Sequence, residues 1–275
     1  MTEAEFVLIL FALVFSTSSY AWLRKKYGLV KTNFKGDQIS ASAGIWFLLF
    51  GSIVYFGEWK AAGLNVGSAA VFLNAVFGFG LLGLCDDLYG TRADGGFRGH
   101  FGALWNGRIT TGAVKALAGG LVALVCGFLL WYPMAMNLCV SALLIALTAN
   151  LLNLVDLRPG RCLFGFLLAS AIIVTVLALG HHLALGFLLY VAIGAALVMY
   201  PLDASGALMI GDTGANAFGA VLGVSAALWL SEPIQIGLVI LLIAGHAWTE
   251  KYSIQSLIEG SPMLRKLDSK IGVRS

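Results

Sequence analysis

Residues 138–155, LCVSALLIALTANLLNLV, contain no charged side chain and decide the fold of this chain. A run of about 20 apolar residues is the length that an α-helix needs to cross the hydrocarbon core of a bilayer. The whole chain of 275 residues has the same character, with 59% hydrophobic and 11% charged residues. Soluble domains carry about 25% charged residues. The composition therefore argues against a water-soluble protein and predicts one compact membrane domain.

Apolar runs of this kind recur along the sequence, each bounded by glycine, proline or charged residues. They cover residues 6–23, 41–56, 66–84, 113–131, 138–155, 163–180, 183–201, 215–231 and 234–249. Acidic residues precede the first run and Arg24 to Lys26 follow it, the reverse of the charge order of a cleavable signal peptide. We therefore expect an all-α, polytopic bundle of about nine transmembrane helices, residues 1–249, with its N-terminus outside. Residues 250–275 would form a cytoplasmic C-terminal tail.

The basic residues support this orientation. If the loops alternate between the two sides, all but one of the 17 lysine and arginine residues lie on one face, and Lys60 lies on the other. Loops rich in Lys and Arg stay in the cytoplasm. We therefore expect a multi-pass protein of the cell membrane, with its C-terminus inside. The aspartates that this assignment places at the cytoplasmic face are Asp86, Asp87, Asp94, Asp156, Asp203 and Asp212.

Two adjacent acids, Asp86 and Asp87, follow the third predicted span. Carboxylates about 4 Å apart repel each other by about 4 kcal/mol at an effective dielectric constant near 20. The C-terminal end of a helix adds a partial negative charge. A positive group should therefore lie beside them. Mg²⁺ is one candidate, because it binds one or two carboxylates together with substrate phosphates.

Polar residues also end the fifth predicted span. In a helix, steps of three place Asn150, Asn153 and Asp156 along one slanting stripe, which suits either a binding pocket or hydrogen bonds between helices. The turn that follows contains Arg158 and Arg161, whose guanidinium groups suit bidentate contacts with phosphate. These arginines are equally typical of the basic flank of a cytoplasmic loop.

The start of the eighth predicted span, Gly211-Asp212-Thr213-Gly214, allows two interpretations. Asp and Thr are both common helix caps. The glycines also allow backbone N–H groups to approach a phosphate while the carboxylate of Asp212 reaches a metal ion. Lys115, at the start of the fourth span, would either bind a phosphate or extend its ammonium group to the membrane surface.

In order and spacing, three motifs of this chain resemble the cytoplasmic motifs of the polyprenyl-phosphate N-acetylhexosamine-1-phosphate transferases. They are Asp86-Asp87, Asn150-x-x-Asn153-x-x-Asp156 and Gly211-Asp212-Thr213-Gly214. The loop from Tyr27 to Gly44 is similar to that family's first cytoplasmic loop, and the resemblance spans about residues 25–225. It implies a phosphotransferase of glycosyltransferase family 4. Such an enzyme moves a sugar 1-phosphate from a nucleotide sugar, with a UDP-sugar as the first expectation, to a polyprenyl phosphate in cell-envelope glycan synthesis.

The resemblance also implies roles for individual residues. Asp86, Asp87 and Asp212 would be the catalytic acids, with Asp87 and Asp212 binding Mg²⁺, or Mn²⁺ in its place. The residues expected to bind the nucleotide sugar and its phosphates are Lys115, Asn150, Asn153, Asp156, Arg158 and Arg161. The implied partners are the polyprenyl phosphate lipid, the nucleotide sugar and the bilayer. A homodimer is left open, and no nucleic-acid partner is expected.

The chain also departs from the family pattern. Pro159 stands where the family usually has a second acid, and the family's late histidine-rich loop and tenth span are absent. These departures predict a short, divergent branch. Two other classes of function remain as alternatives. One is a lipid or solute transporter or scramblase, and the other is a catalytically inactive relative that acts as a scaffold.

Overall fold

A computed structural model describes residues 29–33, 36–51, 66–90, 111–180 and 186–273 of the chain. Two short antiparallel strands, β1 (Val30–Thr32) and β2 (Gln38–Ser40), precede the helices. The helices are α1 (Gly44–Trp46), α2 (Val66–Tyr89), α3 (Thr111–Trp131), α4 (Ala135–Val155), α5 (Arg161–Leu179), α6 (Phe187–Ala204), α7 (Gly211–Trp229), α8 (Glu232–Thr249), α9 (Ile254–Gly260) and α10 (Pro262–Ile271). A π-helical turn, Phe47–Gly51, continues α1. The predicted first span, residues 52–56 of the predicted second span and residues 183–185 of the predicted seventh span lie outside the described residues.

The predicted spans from 66–84 to 234–249 each correspond to one helix, α2 to α8, which confirms a membrane helix bundle. Within the described part of the chain, five helical stretches are long and apolar enough to cross a membrane: Ala70–Tyr89, Gly112–Trp131, Ala135–Val155, Arg161–Leu179 and Glu232–Thr249. The apolar stretch of α6, Leu189–Ala204, is shorter, and α7 is not among the five. The number of nine spans and the side on which each loop lies stay predictions.

Helix α7 lies at the centre of the bundle. Every residue from Thr213 to Ala227 is buried, and α7 packs against both α2 and α4. A helix enclosed on all sides needs no polar face, which explains why this part of α7 consists mostly of small and aliphatic residues. Phe218 stacks on Phe47 with ring centroids 4.3 Å apart, and it meets Phe166 at 4.8 Å. The central helix thereby joins the N-terminal segment to α5.

Two glycines allow α7 to approach α4 closely. A Cβ atom on Gly219 would lie 2.5 Å from the carbonyl oxygen of Thr148, and one on Gly223 would lie 2.5 Å from the Cα atom of Ile145. Because the glycines are four residues apart, they share one face of α7, as small residues do where membrane helices meet. This backbone contact fixes the start of α7 relative to the end of α4.

The segment after β2 holds the loop that leads into α7. The backbone N–H of Met209 donates to the carbonyl oxygen of Ser40 at 2.8 Å. In the opposite direction, the N–H groups of Ala43 and Gly44 donate to the carbonyl oxygens of Met209 and Ile210, each at 2.9 Å. The start of α7 is therefore positioned by the N-terminal hairpin as well as by its helix neighbours.

The C-terminal tail packs against the bundle. The Tyr200 hydroxyl donates to the carbonyl oxygen of Ile271 at 2.7 Å, and the N–H of Val273 donates to the carbonyl oxygen of Ala204 at 2.8 Å. A helix begins at Pro262, as the Ser261-Pro262 pair predicts. The tail is thus in contact with the end of α6.

Candidate functional site

A cluster of charged side chains lies where α2, α3 and α7 meet. Lys115 Nζ on α3 lies 2.7 Å from Oδ2 of Asp86 on α2 and 2.7 Å from Oδ2 of Asp212 on α7. The lysine side chain is 24% exposed and each carboxylate is 32% exposed, so the contacts are only partly screened by solvent. Lys115 is a positive group of the kind that the acid pair was predicted to need. We call Asp86, Lys115 and Asp212 the lysine cluster.

Asp87 caps the N-terminus of α7. Its Oδ1 accepts a hydrogen bond from the backbone N–H of Asp212 at 3.1 Å. Its Oδ2 accepts from the N–H of Thr213 at 3.1 Å and from the hydroxyl of Thr213 at 2.7 Å. The first N–H groups of a helix have no partner within it and carry a partial positive charge, so a carboxylate is stabilised there. The cap of α7 therefore comes from α2 and not from Asp212 or Thr213.

A glycine makes room for this cap. Gly211 has φ = +68°, a backbone conformation that other residues rarely adopt. A Cβ atom at this position would lie 2.3 Å from the carbonyl oxygen of Ala41 and 2.5 Å from Oδ2 of Asp87. Gly211 therefore serves both the turn into α7 and the approach of the Asp87 carboxylate.

Asn153 brings α4 to the cluster. With its amide nitrogen turned towards Asp212, Nδ2 donates to Oδ1 at 3.1 Å and to Oδ2 at 3.3 Å. With the amide turned the other way, its oxygen faces the same carboxyl group, an arrangement that a proton on Asp212 or a cation between the oxygens would stabilise. In either orientation, groups from the second and third sequence motifs are in contact.

Further carboxylates lie near the cluster. Asp156 follows the last residue of α4. Burial of its carboxyl group raises its pKa well above the usual value, and the negative charges of Asp203, Asp212 and Asp87 raise this pKa further. Burial and the neighbouring carboxylates thus both favour the neutral form of Asp156, which adds a further acid beside the cluster.

Asp203 positions two loops, a role that no motif in the sequence predicts. Its side chain is buried, and Oδ2 accepts a hydrogen bond from the backbone N–H of Gly160 at 2.9 Å. It also accepts one from the N–H of Ile210. Asp203 thus joins the turn after α4 to the segment before α7. The only sequence signal was an acid at the end of an apolar run, because its partners are backbone groups rather than a recognisable side-chain motif.

Arg161 makes a different contact from the one predicted. Its Nε donates to Oδ1 of Asp268 at 2.6 Å, and its Nη2 donates to Oδ2 of Asp268 at 3.0 Å and to Oε1 of Gln255 at 3.0 Å. The arginine is 6% exposed. The bidentate geometry expected for a phosphate is therefore used to hold the tail. Arg158 lies in the turn between α4 and α5, and Asn150 is exposed on the last turns of α4.

The oxygen atoms of the cluster suit a hard cation. Among the described residues, no three His, Cys, Asp or Glu side chains are grouped as a ready-made metal site. Carboxylates of Asp86 and Asp212 nevertheless converge on one ammonium group, and Mg²⁺ typically needs only one or two carboxylates besides water and phosphate. These two residues fit Mg²⁺. Asp87 already accepts three hydrogen bonds, so it would bind a metal ion only through a remaining lone pair.

A comparison of the chain with protein-family models finds no match, and a comparison with curated proteins finds no significant match either. Function is therefore argued from the geometry of the site and from the motifs that resemble the transferases.

Proposed function

We propose that this chain is a Mg²⁺-dependent phosphotransferase of the membrane, which moves a sugar 1-phosphate from a nucleotide sugar to a polyprenyl phosphate at the cytoplasmic face. The observation that carries the proposal is the contact of Lys115 with both Asp86 and Asp212. Asp87 and Asn153 contact the first turn of α7 as well. Three motifs that lie far apart in the sequence, and that resemble one family, thus place their polar groups together.

The chemistry of this reaction suits such a cluster. Phosphoryl transfer depends mainly on positioning and on neutralisation of charge. Mg²⁺, when bound, would supply charge neutralisation at the pyrophosphate, with Asp86 and Asp212 as its protein ligands. Lys115 would then turn its ammonium group from a carboxylate to a phosphate oxygen. A phosphate monoester has a second pKa of about 6 and is mostly ionised at neutral pH, so the lipid nucleophile needs no strong base.

Turnover by the purified full-length chain tests the proposal. The protein is incubated with undecaprenyl phosphate, Mg²⁺ and a panel of UDP-, CDP- and GDP-sugars, and the release of nucleoside monophosphate is measured. We expect release with one class of nucleotide sugar and its loss in Asp212→Asn. Glu259→Gln, an exposed change on α9, is the control and should retain the wild-type rate. Absence of release with every sugar, or full release by Asp212→Asn, would refute the proposal.

One observation favours the inactive scaffold as a second candidate. The carboxylates of Asp86, Asp87 and Asp212 are each bound by groups of the protein itself, so the cluster could act only to join helix ends. The two candidates differ in what Asp212→Asn changes. If the chain is an enzyme, Asp212→Asn abolishes turnover even where the substituted protein stays folded. If it is a scaffold, the wild type has no turnover, and the substitution changes only the unfolding temperature.

A further inference from the structure

The C-terminal helices lie close to the expected membrane surface. Helix α8 is long and apolar enough to span a membrane, and only residues 250–253 separate its last residue from α9. A fully extended linker of this length reaches at most about 14 Å. At the same end of α8, the rings of Trp248 and Tyr252 stack with centroids 5.4 Å apart, and both side chains are exposed. Exposed Trp and Tyr are typical of the membrane–water interface, so α9 and α10 begin there.

One face of α10 is fastened to the bundle. Asp268 on this face is buried and accepts hydrogen bonds from Nε and Nη2 of Arg161. Leu264 and Ile271, four residues before and three after Asp268, are also partly covered. A bidentate ion pair restricts rotation of the helix about its axis. The direction in which the exposed side chains of α10 point is therefore defined as well.

The uncovered surface of α10 carries an apolar ridge beside a basic one. Met263 is 80% exposed and Leu267 is 50% exposed, and their spacing of four makes them neighbours on the helix surface. Lys266 and Lys270, also exposed and four residues apart, lie next to them. Exposed apolar side chains flanked by lysines are typical of a helix that lies in a membrane interface. We call Met263, Lys266, Leu267 and Lys270 the α10 ridge.

We propose that the α10 ridge docks on the anionic phospholipid surface of the membrane that holds the bundle. Charge complementarity identifies this occupant, because the lysines attract anionic headgroups while Met263 and Leu267 enter the headgroup region. A second copy of the chain is a poorer partner for this ridge. A symmetric contact would bring the lysines of both copies into one interface to which the ridge contributes no acid, and like charges repel. The inference does not depend on the proposed enzymatic activity.

Hydrogen exchange of the full-length chain tests the docking. The protein is placed, one copy per nanodisc, in phosphatidylcholine alone or in a mixture of phosphatidylcholine with phosphatidylglycerol, and exchange of the amides of residues 263–271 is followed. We expect slower exchange in the anionic mixture, with a contribution of about fivefold from each lysine. Added salt should remove the difference, because it screens charges at an exposed surface.

Two substitutions with the same charge change separate the ridge from a general charge effect. Lys270→Gln should lose about fivefold of the protection in the anionic mixture. Arg265→Gln, on the other flank of α10, is exposed and should lose little. Met263→Ser combined with Leu267→Ser should weaken protection in both lipids.

Several results would overturn the docking proposal. They are equal exchange of the wild type in the two lipids, equal effects of Lys270→Gln and Arg265→Gln, and protection that appears only in nanodiscs with two copies. The last result would assign the ridge to self-association. If a substituted chain fails to fold, the wild type alone still tests the proposal. Its extra protection in the anionic mixture should disappear in added salt, and protection that salt does not change would contradict the docking.

Discussion

At the scale of single residues, Lys115 determines how two carboxylates can lie near each other inside the bundle. Its ammonium group contacts both Asp86 and Asp212, whereas Asp87 is held by backbone N–H groups. The sequence predicted that a positive group is needed beside Asp86, because like charges repel. It did not predict which group, since Lys115 follows Asp86 by 29 residues and meets it only in the folded chain.

Removal of the ammonium group should expose this repulsion. We expect Lys115→Met to lower the free energy of unfolding by about 1–3 kcal/mol, because it leaves partly buried carboxylates without their donor. Unfolding in detergent, followed by circular dichroism, measures the change, and Lys251→Met at an exposed site is the control. Adding Asp212→Asn to Lys115→Met should recover part of the loss. A double variant as unstable as the sum of its single changes would contradict this account.

Asp203 offers a second residue-scale prediction. Asp203→Ala removes the acceptor for the N–H groups of Gly160 and Ile210, and an unpaired buried donor costs about 1–3 kcal/mol. Asp203→Asn keeps one acceptor oxygen and should cost less. Faster hydrogen exchange at Gly160 in Asp203→Ala would report the loss directly. Ser205→Ala, exposed in the next turn, should leave this exchange rate unchanged.

At the scale of elements, the apolar runs predicted where helices lie better than where they end. The third apolar run covers residues 66–84, with both acids expected at the C-terminal end of its helix; α2 includes them and continues to Tyr89. Charged residues at this helix end are tolerated because the N-terminus of α7 and the ammonium group of Lys115 compensate them. Both come from other helices, so a local pattern could not indicate the extension. The same reason explains why Asp87 was expected to bind a metal ion and not predicted as a cap.

The contact between α7 and α4 gives a prediction at this scale. Gly219→Ala places a Cβ atom 2.5 Å from the carbonyl oxygen of Thr148 and should destabilise the bundle by about 1–3 kcal/mol through overpacking. Gly237→Ala on α8 is the matched control, because no heavy atom lies within 4 Å of the added Cβ atom. An alanine in an open helical position is neutral or stabilising. Equal thermal unfolding of the two variants would show that α7 and α4 can separate at little cost.

At the scale of the whole molecule, the three sequence motifs indicated some of the residues that lie together but not all of them. Asp86, Asn153 and Asp212 come from three motifs and lie in one region, joined by contacts to Asp212. The position of Arg161 could not be predicted in this way. Its partner Asp268 belongs to a polar tail without a recognisable motif, and the pairing depends on how α10 packs against α5.

Binding of Mg²⁺ to the whole protein should be measurable without turnover. A ligand that binds only the folded state raises its stability, by about 2.7 kcal/mol at a concentration 100 times its dissociation constant. We expect Mg²⁺ to raise the unfolding temperature of the wild type and a chelator to reverse the rise. Asp212→Asn should respond much less, because it removes one negative ligand. An equal rise in both proteins would mean that the ion binds elsewhere.

The ion pair between Arg161 and Asp268 has a consequence for biosynthesis. The two residues are 107 positions apart, so a ribosome that adds about 5–20 residues per second delivers the acid roughly 5–20 s after the arginine. Throughout that interval, the guanidinium group has no counter-ion from α10 and is better hydrated at the bilayer surface than buried. The nascent chain would therefore insert α5 before α10 is made, and would enclose the charged end of α5 only when α10 arrives.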